Sequence, residues 1–257
     1  MTRPLSIQLY SVREQIARDR DAVLRRLADL GFQAVEPFQP TADPVGFRKV
    51  AEDLGLSVSS AHAMGLLEPD PDPVFEAIAT LGTDLAIVPA GIPQGDFTTR
   101  EGLQRTADLL NALAEKATAH GLRLGYHNHW WEFEPVIDGK HGLEVLAELL
   151  APEVFLEVDT YWAAVGGADV PKVLRGLGPR VKALHVKDGP VKKGEPNVAV
   201  GSGAMPVAEV LGAAPADAWR IIEFDECATD VFAAIGESRE YVAGLDDTAA
   251  KREGAAS

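Results

Sequence analysis

The regular alternation of short apolar runs with longer amphipathic segments most restricts what this chain can fold into. The segments between the runs carry apolar residues at helical spacing, and several of them end at a glycine. Strict βα alternation predicts a parallel sheet covered by helices, and eight units in about 250 residues match a (β/α)8 TIM barrel. The eight predicted strands cover residues 6–10, 34–38, 56–62, 85–90, 122–129, 154–159, 181–188 and 219–225.

A doubly wound sheet is the alternative architecture. The first predicted strand is not followed by the GxGxxG motif of a dinucleotide-binding fold, and the sequence contains no P-loop motif. The segments 68–73 and 89–97 are rich in proline and glycine and are interpreted as loops, not linkers. We therefore predict one α/β domain, a TIM barrel over residues 1–250, followed by a flexible tail over residues 251–257.

Charge and composition limit the partners of the chain. Its formal net charge of -15 would repel a nucleic acid. No apolar run approaches the roughly 20 residues of a membrane span, and the first residues lack the apolar region of a signal peptide. The single cysteine, Cys227, excludes an internal disulfide and is typical of a cytoplasmic protein. We expect a cytoplasmic protein that binds neither membranes nor nucleic acids; homo-oligomerisation remains open.

Seven of the eight predicted strands end in polar or ionisable residues, and only the fourth ends apolar. In a TIM barrel these ends meet at the face that carries the active site. Burying such groups costs several kcal/mol each unless they pair or bind a metal. We therefore expect them to converge on one functional mouth. In chain order they are Gln8 and Tyr10; Glu36; His62; His127, Asn128 and His129; Glu157 and Asp159; His185, Lys187 and Asp188; and Glu223 and Asp225.

Carboxylates and imidazoles without thiolates suit one divalent ion such as Mn, Co, Mg or Zn. Asp159, His185 and Glu223 are the candidate ligands, with a fourth ligand from the fifth strand. The structural alternative is that the aspartate caps a helix and the histidine is an ordinary buried group. Coincidence on four strands favours the metal site.

Other residues near the predicted mouth are candidate substrate contacts: Glu36, His62, Trp130, Trp162 and Lys187. The alternatives are that Glu36 is a wall carboxylate held by Arg13, that Lys187 forms a surface ion pair with Asp188, and that the tryptophans are loop packing. Trp219 begins a strand and is interpreted as core. Lys187 and the amides of the glycine-rich loop 201–206 could bind a phosphate, but the acidic surroundings favour an unphosphorylated substrate. The loop could equally be a flexible turn.

Several motifs also resemble the sugar phosphate isomerase/epimerase superfamily of xylose isomerase-like TIM barrels, and the YHNH form points to one large branch of it. The ketose epimerases of that superfamily bind one divalent metal through Glu, Asp, His and Glu. The resemblance therefore implies Asp159, His185 and Glu223 as ligands, with His127 at the position where other members have glutamate. The motifs are SIQLYSVRE, GFQAVEPF, SSAHAM, GYHNHWWEFE, LEVDTYWAAVGGADV, VKALHVKDG, GSGAMP and WRIIEFDEC.

The histidine at position 127 changes the charge and basicity of the site, which argues against simple C3 epimerisation. It is compatible with isomerisation, dehydration or β-elimination next to a carbonyl. We expect a metal-dependent isomerase or epimerase that transfers a proton alpha to the carbonyl of a ketose or keto-polyol through an enediolate. Glu223 would be the base, with His127 or His129 as the partner acid.

Three alternatives remain from the sequence. A dehydratase or lyase acting on a keto-inositol or a 3-keto-glycoside would begin with the same enolate. A barrel that binds a sugar without turnover would have no reason to retain a complete metal site. The related apurinic endonuclease is disfavoured, because it needs three zinc ions and more histidine ligands than the six histidines here, and because the net charge of -15 opposes DNA binding.

Overall fold

A parallel sheet of nine strands forms the centre of the fold. The computed structural model describes residues 3–256, with the side chains of residues 3–246. The strands of this sheet are β1 (Leu5–Gln8), β2 (Ala34–Glu36), β3 (Ser57–Val58), β4 (Ala61–His62), β5 (Leu85–Val88), β6 (Arg123–His127), β9 (Phe155–Asp159), β10 (Val181–Val186) and β11 (Trp219–Ile222). Two further strands, β7 (Val136–Ile137) and β8 (Lys140–His141), form a separate antiparallel pair.

The strand order β3-β2-β1-β11-β10-β9-β6-β5-β4 brings the two halves of the third predicted strand to opposite ends of the sheet. β3 pairs with β2, and β4 pairs with β5. The predicted strand 56–62 is therefore one barrel position, broken at Ser59 and Ser60. Counted this way the sheet has eight positions and nearly closes on itself, which confirms the TIM barrel prediction.

Helices cover the outside of the barrel and begin at residues with a clear physical role. The side chain of Asp43 accepts a hydrogen bond from the amide of Gly46 at 3.0 Å, which caps α2. Helix α3 was not predicted and begins within the segment 68–73, because a proline in the first helical turn removes an amide that has no partner there. The helices are α1 (Arg13–Asp29), α2 (Pro44–Asp53), α3 (Asp72–Leu81), α4 (Arg100–Ala119), α5 (Gly142–Leu149), α6 (Thr160–Val165), α7 (Val170–Leu177), α8 (Val207–Ala213) and α9 (Val231–Ala256).

The last helix, α9, continues to Ala256 and so includes most of the segment 251–257 predicted as a tail. Ser257 and the side chains from residue 247 onward lie outside the described residues, so the predicted boundary at residue 250 stays a prediction. No helix in the described part of the chain is both long enough and apolar enough to cross a membrane.

The inside of the barrel changes from apolar to polar along four of the described strands. A small apolar layer fills its lower part and includes Trp219, as predicted. Alternate strand residues share a face, so the inward positions next along the strands are polar. This change runs from Ala34 to Glu36 on β2, from Phe155 to Glu157 on β9, from Ala183 to His185 on β10, and from Ile221 to Glu223 after β11.

Several strands are shorter than the sequence predicts. β6 ends at His127 and β11 at Ile222, so His129 and Glu223 lie just beyond their strands. β1 ends at Gln8, because the side chain of Gln8 accepts a hydrogen bond from the amide of Tyr10 and starts a short 3-10 turn. The polar residues thus extend from the upper strands into the loops above them.

Candidate active site

Among the described residues, two groups of buried side chains offer ligand atoms within 4.8 Å of one another. We call the first the Asp159 cluster; it consists of Asp159, His185 and Glu223. The second, the His62 cluster, consists of His62, His127, Glu157 and the shared His185. The register of the sheet brings them together, since His185 pairs with Asp159 across β10 and β9, and His127 pairs with Glu157 across β6 and β9.

Lys187 extends into the Asp159 cluster. Its ammonium nitrogen lies 2.8 Å from Oδ2 of Asp159, 2.6 Å from Oε2 of Glu223 and 2.7 Å from Oδ2 of Asp225. The side chain is only 1% exposed. Burial lowers the pKa of Lys187, but the carboxylates of Asp159, Asp225 and Glu223 outweigh burial and raise the pKa well above its usual value. Lys187 is therefore a buried cation held by three carboxylates, not half of a surface pair with Asp188.

His185 connects the Asp159 cluster to the base of the site. Its Nδ1 lies 2.7 Å from Oε2 of Glu223, and its Nε2 lies 2.7 Å from Oε2 of Glu36. Burial lowers the pKa of His185, but Glu157, Glu223 and Glu36 together raise it well above its usual value. When the ring is protonated, both of its nitrogens donate hydrogen bonds, which fixes the plane of the ring.

Glu36 lies beneath the clusters and is fully buried. Its carboxylate accepts hydrogen bonds from Nε2 of Gln8 at 2.7 Å and from the hydroxyl of Ser60. Burial raises the pKa of Glu36, but His62 and His185 outweigh burial and bring the pKa to about 2. The carboxylate is thus an anion held by Gln8, Ser60 and His185; Arg13, suggested by the sequence, instead pairs with Glu226.

Three histidines surround one carboxylate oxygen in the His62 cluster. Oε2 of Glu157 contacts Nε2 of His62, lies 3.1 Å from Nδ1 of His127 and lies 3.3 Å from Nε2 of His185. Oε1 of the same carboxylate is buried without a hydrogen-bond partner. Burial, with repulsion from Glu36, raises the pKa of Glu157 to about 7. At neutral pH this carboxyl exists partly in its acid form, which lowers the cost of burying it.

The loop after β6 is held from inside by Glu132. Its carboxylate accepts hydrogen bonds from the hydroxyl of Tyr126 at 2.6 Å and from the amide of His129 at 2.8 Å. Burial raises the pKa of Glu132 to about 7. The ring of His129 stacks on Trp131, with 4.2 Å between ring centroids and 8° between planes. These contacts fix the direction in which His129 points.

Both histidines of this segment are neutral. Burial lowers the pKa of His129 to about 3 and lowers that of His127 well below its usual value. Nearby positive charge, from His185 beside His127 and from Lys187 beside His129, adds to the effect of burial. By contrast, His185 and Lys187 outweigh the effect of burial on Glu223 and hold the pKa of its carboxyl well below its usual range. The site thus contains an ionised carboxylate beside neutral imidazoles.

These groups meet at a cavity of about 320 Å³ at the C-terminal ends of the strands. The polar residues of its lining are His62, His127, His129, Glu223 and Asp225, and the apolar and aromatic ones are Tyr10, Phe38, Met64, Pro89 and Ala90. A cavity with converging polar groups and shifted pKa values is a candidate ligand-binding site.

A sequence model of the xylose isomerase-like TIM barrel family matches residues 24–242 of this chain. The chain belongs to this family. The resemblance that the sequence motifs indicated is therefore confirmed at the level of the family. A comparison with curated protein sequences gives no match.

Solved structures agree with the membership of this xylose isomerase-like family. A sugar phosphate isomerase/epimerase from Parabacteroides distasonis is similar at a TM-score of 0.77 and 21% identity, over 94% of this chain and 93% of its own. An L-ribulose 3-epimerase is similar at 0.69 and 18% identity, over 100% and 98% of the two chains. A probable 3-DHS dehydratase from Bacillus anthracis is similar at 0.72 and 14% identity, over 94% and 99%. At these identities the likeness establishes the fold.

The predicted site residues of this xylose isomerase-like barrel fall into two positions relative to the cavity. Its wall includes Glu223, His127, His129 and His62. Asp159, His185, Lys187 and Glu36 lie behind the wall, where they are almost fully buried. The ring of Trp130 packs 4.7 Å from that of Trp162, and Trp162 lies under the ammonium of Lys187 at 5.6 Å, so neither tryptophan is part of the wall.

Apart from Tyr10, the apolar residues of the cavity lining were not predicted. Phe38 and Met64 follow the second and third barrel strands, and Pro89 and Ala90 follow β5. Apolar residues after a strand are more often ordinary packing, so their type alone gives no signal. For Phe38 and Met64, the feature that could have identified them is their position two residues after Glu36 in the motif VEPF and two residues after His62 in the motif SSAHAM.

The glycine-rich loop 201–206 is tied to the barrel by Asp188. The carboxylate of Asp188 accepts hydrogen bonds from the amides of Gly201 at 2.9 Å, Gly203 at 3.0 Å and Met205 at 3.0 Å. An added Cβ on Gly203 would lie 2.2 Å from Oδ1 of Asp188, so only glycine permits this approach. The loop is a fixed turn whose amides already bind an anion of the protein itself.

The donor atoms of the Asp159 cluster fit a divalent cation. Two carboxylates and one imidazole come within 4.8 Å of one another, and both carboxylates already lie against a cation, the ammonium of Lys187. Nε2 of His127 lies 4.0 Å from Oδ2 of Asp159, close enough to add a fourth donor. Oxygen and nitrogen donors of this kind suit Mn, Co, Mg or Zn. A divalent ion at this cluster would share its carboxylates with Lys187.

Proposed function

We propose that the chain is a divalent-metal-dependent isomerase or epimerase. It moves a proton at the carbon alpha to the carbonyl of an unphosphorylated ketose or keto-polyol, through an enediolate. The observation that carries this proposal is the position of Glu223, which belongs to the Asp159 cluster and also lines the cavity beside His127 and His129. One carboxylate can therefore contact a bound cation and a bound substrate together.

Asp159, His185 and Glu223 would hold the ion, with His127 as the fourth ligand; His185 would bind it through Nδ1, which would lose its proton on binding. A bound divalent ion would polarise the substrate carbonyl and stabilise the negative charge of the enediolate. Glu36 would support this arrangement through Nε2 of His185, because a carboxylate behind a ligand histidine fixes its ring orientation.

Glu223 is the proposed base. Positive charge from His185 and Lys187 keeps its carboxyl ionised, so it can accept a proton at neutral pH. Its contacts with His185 and Lys187 both use Oε2, which leaves Oε1 for a substrate in the cavity. A positioned carboxylate of this kind contributes about 10²–10⁴ to the rate of a proton transfer.

His127 and His129 are the proposed partners of Glu223. Because both imidazoles are neutral, each can donate a hydrogen bond from one nitrogen and accept one at the other, provided that neither nitrogen holds the ion. His127 would thus serve either as the fourth ligand or as a partner of Glu223. His129, which belongs to neither cluster, would carry the hydroxyl proton between the two oxygens of the enediolate. His62, also in the lining of the cavity, would hold a further hydroxyl group.

The remaining predicted substrate contacts would act from behind the wall. Lys187 would position Asp159 and Glu223 through their carboxylates, and Trp162 would pack under its ammonium. Trp130 would pack against Trp162, and Glu36 would hold His185. In this proposal these four residues affect the substrate through the groups they orient.

Similar solved structures support this class of reaction, since they include a sugar phosphate isomerase/epimerase and an L-ribulose 3-epimerase. A dehydratase or lyase acting on a keto-inositol or 3-keto-glycoside is the second candidate. Asp225 favours it, because it adds a second carboxyl group to the cavity, and an elimination needs a second acid–base group at the leaving group. A probable 3-DHS dehydratase is among the similar structures.

Elemental analysis of the purified protein tests the metal, with Asp159→Ala and Glu223→Ala beside Glu209→Ala, an exposed glutamate on α8. We expect one divalent ion per chain, lost in the first two variants and retained in the third. Ketoses, keto-inositols and 3-keto-glycosides are then screened in deuterium oxide by NMR, with exchange of the alpha proton as the expected result.

Loss of water or of an aglycone in that screen would favour the lyase. A folded protein that takes up no metal even after reloading would overturn the mechanism, and a non-catalytic sugar-binding barrel would replace it. Three zinc ions per chain would favour an endonuclease.

A further inference from the structure

The cavity has two unlike walls. Its polar wall carries His127 and His129 at the fifth barrel position and Glu223 and Asp225 at the eighth. Its apolar wall, which we call the Tyr10 wall, is formed by Tyr10, Phe38, Met64, Pro89 and Ala90. These residues follow the first, second, third and fourth barrel positions, so the fold gathers an apolar surface along one side of the mouth, interrupted by His62 at the third position. Isomerisation of a bare polyol makes no use of this surface.

The Tyr10 wall presents apolar atoms to water. Met64 is 53% exposed and Tyr10 is 40% exposed. The rings of Tyr10 and Phe38 meet edge to face with 5.5 Å between centroids, and the guanidinium of Arg13 lies 4.3 Å from the centroid of the Tyr10 ring. The aromatic pair is therefore held in place without a ligand. Covering such a surface with an apolar group releases water and favours binding.

The cavity lining offers a phosphate neither lysine nor arginine within the described part of the chain, and it does contain Glu223 and Asp225. Nε2 of His62, a further lining group, is already bound to Glu157. The ammonium of Lys187 is already held by three carboxylates. The amides of Gly201 and Gly203 are already bound to the carboxylate of Asp188. A phosphorylated substrate would place its charge against carboxylates.

We propose that the substrate of this site is an uncharged keto-sugar that carries a compact apolar substituent, such as an aryl aglycone. Its carbonyl end lies against Glu223 and the histidines, and its substituent lies against the Tyr10 wall. The cavity of about 320 Å³ is near the lower end of small-molecule pockets, which hold roughly 300–1,000 Å³. This size limits the ligand to one sugar ring with a small substituent. The inference rests on the proposed function for the orientation of the carbonyl.

The test compares ligands that differ only in the substituent and cannot react. Methyl and phenyl β-D-glucopyranosides, the corresponding galactoside and mannoside pairs, glucose and glucose 6-phosphate are titrated into the full chain by calorimetry and by ligand-observed NMR. We expect the phenyl glycoside of at least one pair to bind at least tenfold more tightly than its methyl partner. Glucose 6-phosphate binds more weakly than glucose.

Variants locate the preference on the Tyr10 wall. Met64→Gln reduces the phenyl preference to less than threefold, whereas Met64→Leu, which keeps the surface apolar, retains it. Val45→Gln changes a 70% exposed apolar side chain on α2, outside the cavity lining, and leaves the preference unchanged. Because Met64 is half exposed on a surface turn, its replacement leaves the barrel folded, which a thermal melt checks.

The outcomes separate this inference from the proposed function. A phenyl preference without exchange of alpha protons would retain the apolar subsite and reject the isomerase. Exchange of alpha protons without a phenyl preference would retain the isomerase and overturn the subsite. Tightest binding of the phosphate, no preference in any pair, or no binding of any pair overturns the inference.

Discussion

The ammonium nitrogen of Lys187 lies 2.6 Å from Oε2 of Glu223, the same oxygen that accepts a hydrogen bond from Nδ1 of His185 at 2.7 Å. The proposed base is thus neutralised by a buried cation of the protein itself. The same cation lies 2.8 Å from Asp159, a proposed metal ligand. Lys187 and a divalent ion would therefore compete for the carboxylates of Asp159 and Glu223, and this competition can be measured.

Lys187→Met should weaken the fold without metal and strengthen metal binding. Removing one partner of a buried charge cluster costs about 3–5 kcal/mol, because the remaining charges stay buried. The same change removes a positive charge close to the cation site, so the affinity for Mn²⁺ should rise at least tenfold. Calorimetric titration of Mn²⁺ and melts with and without metal measure both effects.

The matched control for this change is Lys193→Met. Lys193 is exposed and lies over the ring of Trp130 at 4.3 Å from its centroid, so it carries the same charge outside the cluster. Its replacement should leave both the melt and the Mn²⁺ affinity nearly unchanged. If folded Lys187→Met bound Mn²⁺ no more tightly than the unchanged protein, the competition between Lys187 and the ion would be contradicted.

Glu223→Gln should lower the rate of alpha-proton exchange by at least 10²-fold, because the base is lost. Asp225→Asn is the comparison, since Asp225 lines the same cavity and also contacts Lys187. It should change KM more than kcat. Exchange rates followed by NMR for both variants would identify the base, and the reverse order would assign that role to Asp225.

Glu36→Gln should reduce metal affinity by about 10–100-fold, the usual effect of losing a carboxylate behind a ligand histidine. The amide would also place its NH₂ group against donors, which costs about 1–3 kcal/mol of the free energy of unfolding. Metal titration and urea unfolding measure the two effects. Glu68→Gln, at an exposed position, is the control. A change in KM alone, with metal affinity intact, would instead return Glu36 to direct substrate contact.

Glu132 should make the folded state less stable as the pH rises. Burial raises the pKa of its carboxyl from 4.5 to about 7, so the folded chain holds this proton more tightly than the unfolded chain. Its contribution is complete below about pH 4.5 and is lost as the pH rises to about 7. A difference of this size corresponds to roughly 3 kcal/mol.

Glu132→Gln removes this ionisation. Urea titrations at pH 5 and pH 8 give the free energy of unfolding of this variant and of the unchanged protein. The difference between the two should shift in favour of the variant as the pH rises from 5 to 8. Glu134→Gln, two residues further in the same loop but exposed, should follow the unchanged protein at both pH values. Parallel behaviour of the two variants would rule out this assignment.

The sequence predicted the barrel because each βα unit carries a local signal of its own. It also placed Asp159, His185 and Glu223 at one face, since parallel strands bring their C-terminal ends together. The depth of each side chain could not be predicted in the same way. His127 faces Glu157 as well as Asp159, because register and ring orientation depend on neighbouring strands.

Two further features could not be predicted, because they depend on contacts between segments that are distant in the sequence. The role of Lys187 depends on carboxylates from β9 and from the segment after β11, and the fixed loop 201–206 depends on Asp188. Neither pairing has a spacing that a motif could reveal. The third strand looked continuous over 56–62, and only its two partners determine that it breaks.

The break in the third strand affects where the barrel opens locally to solvent. β3 and β4 each pair with a neighbour over only two residues, whereas β9 and β10 pair over four. At the break, the hydroxyl of Ser59 meets that of Ser6 at 2.9 Å, and the hydroxyl of Ser60 donates to Glu36. Amide hydrogens of β3 and β4 should exchange with solvent before those of the other strands of the barrel. Solvent that enters there would reach Glu36 and His62 through the side of the barrel without passing its mouth.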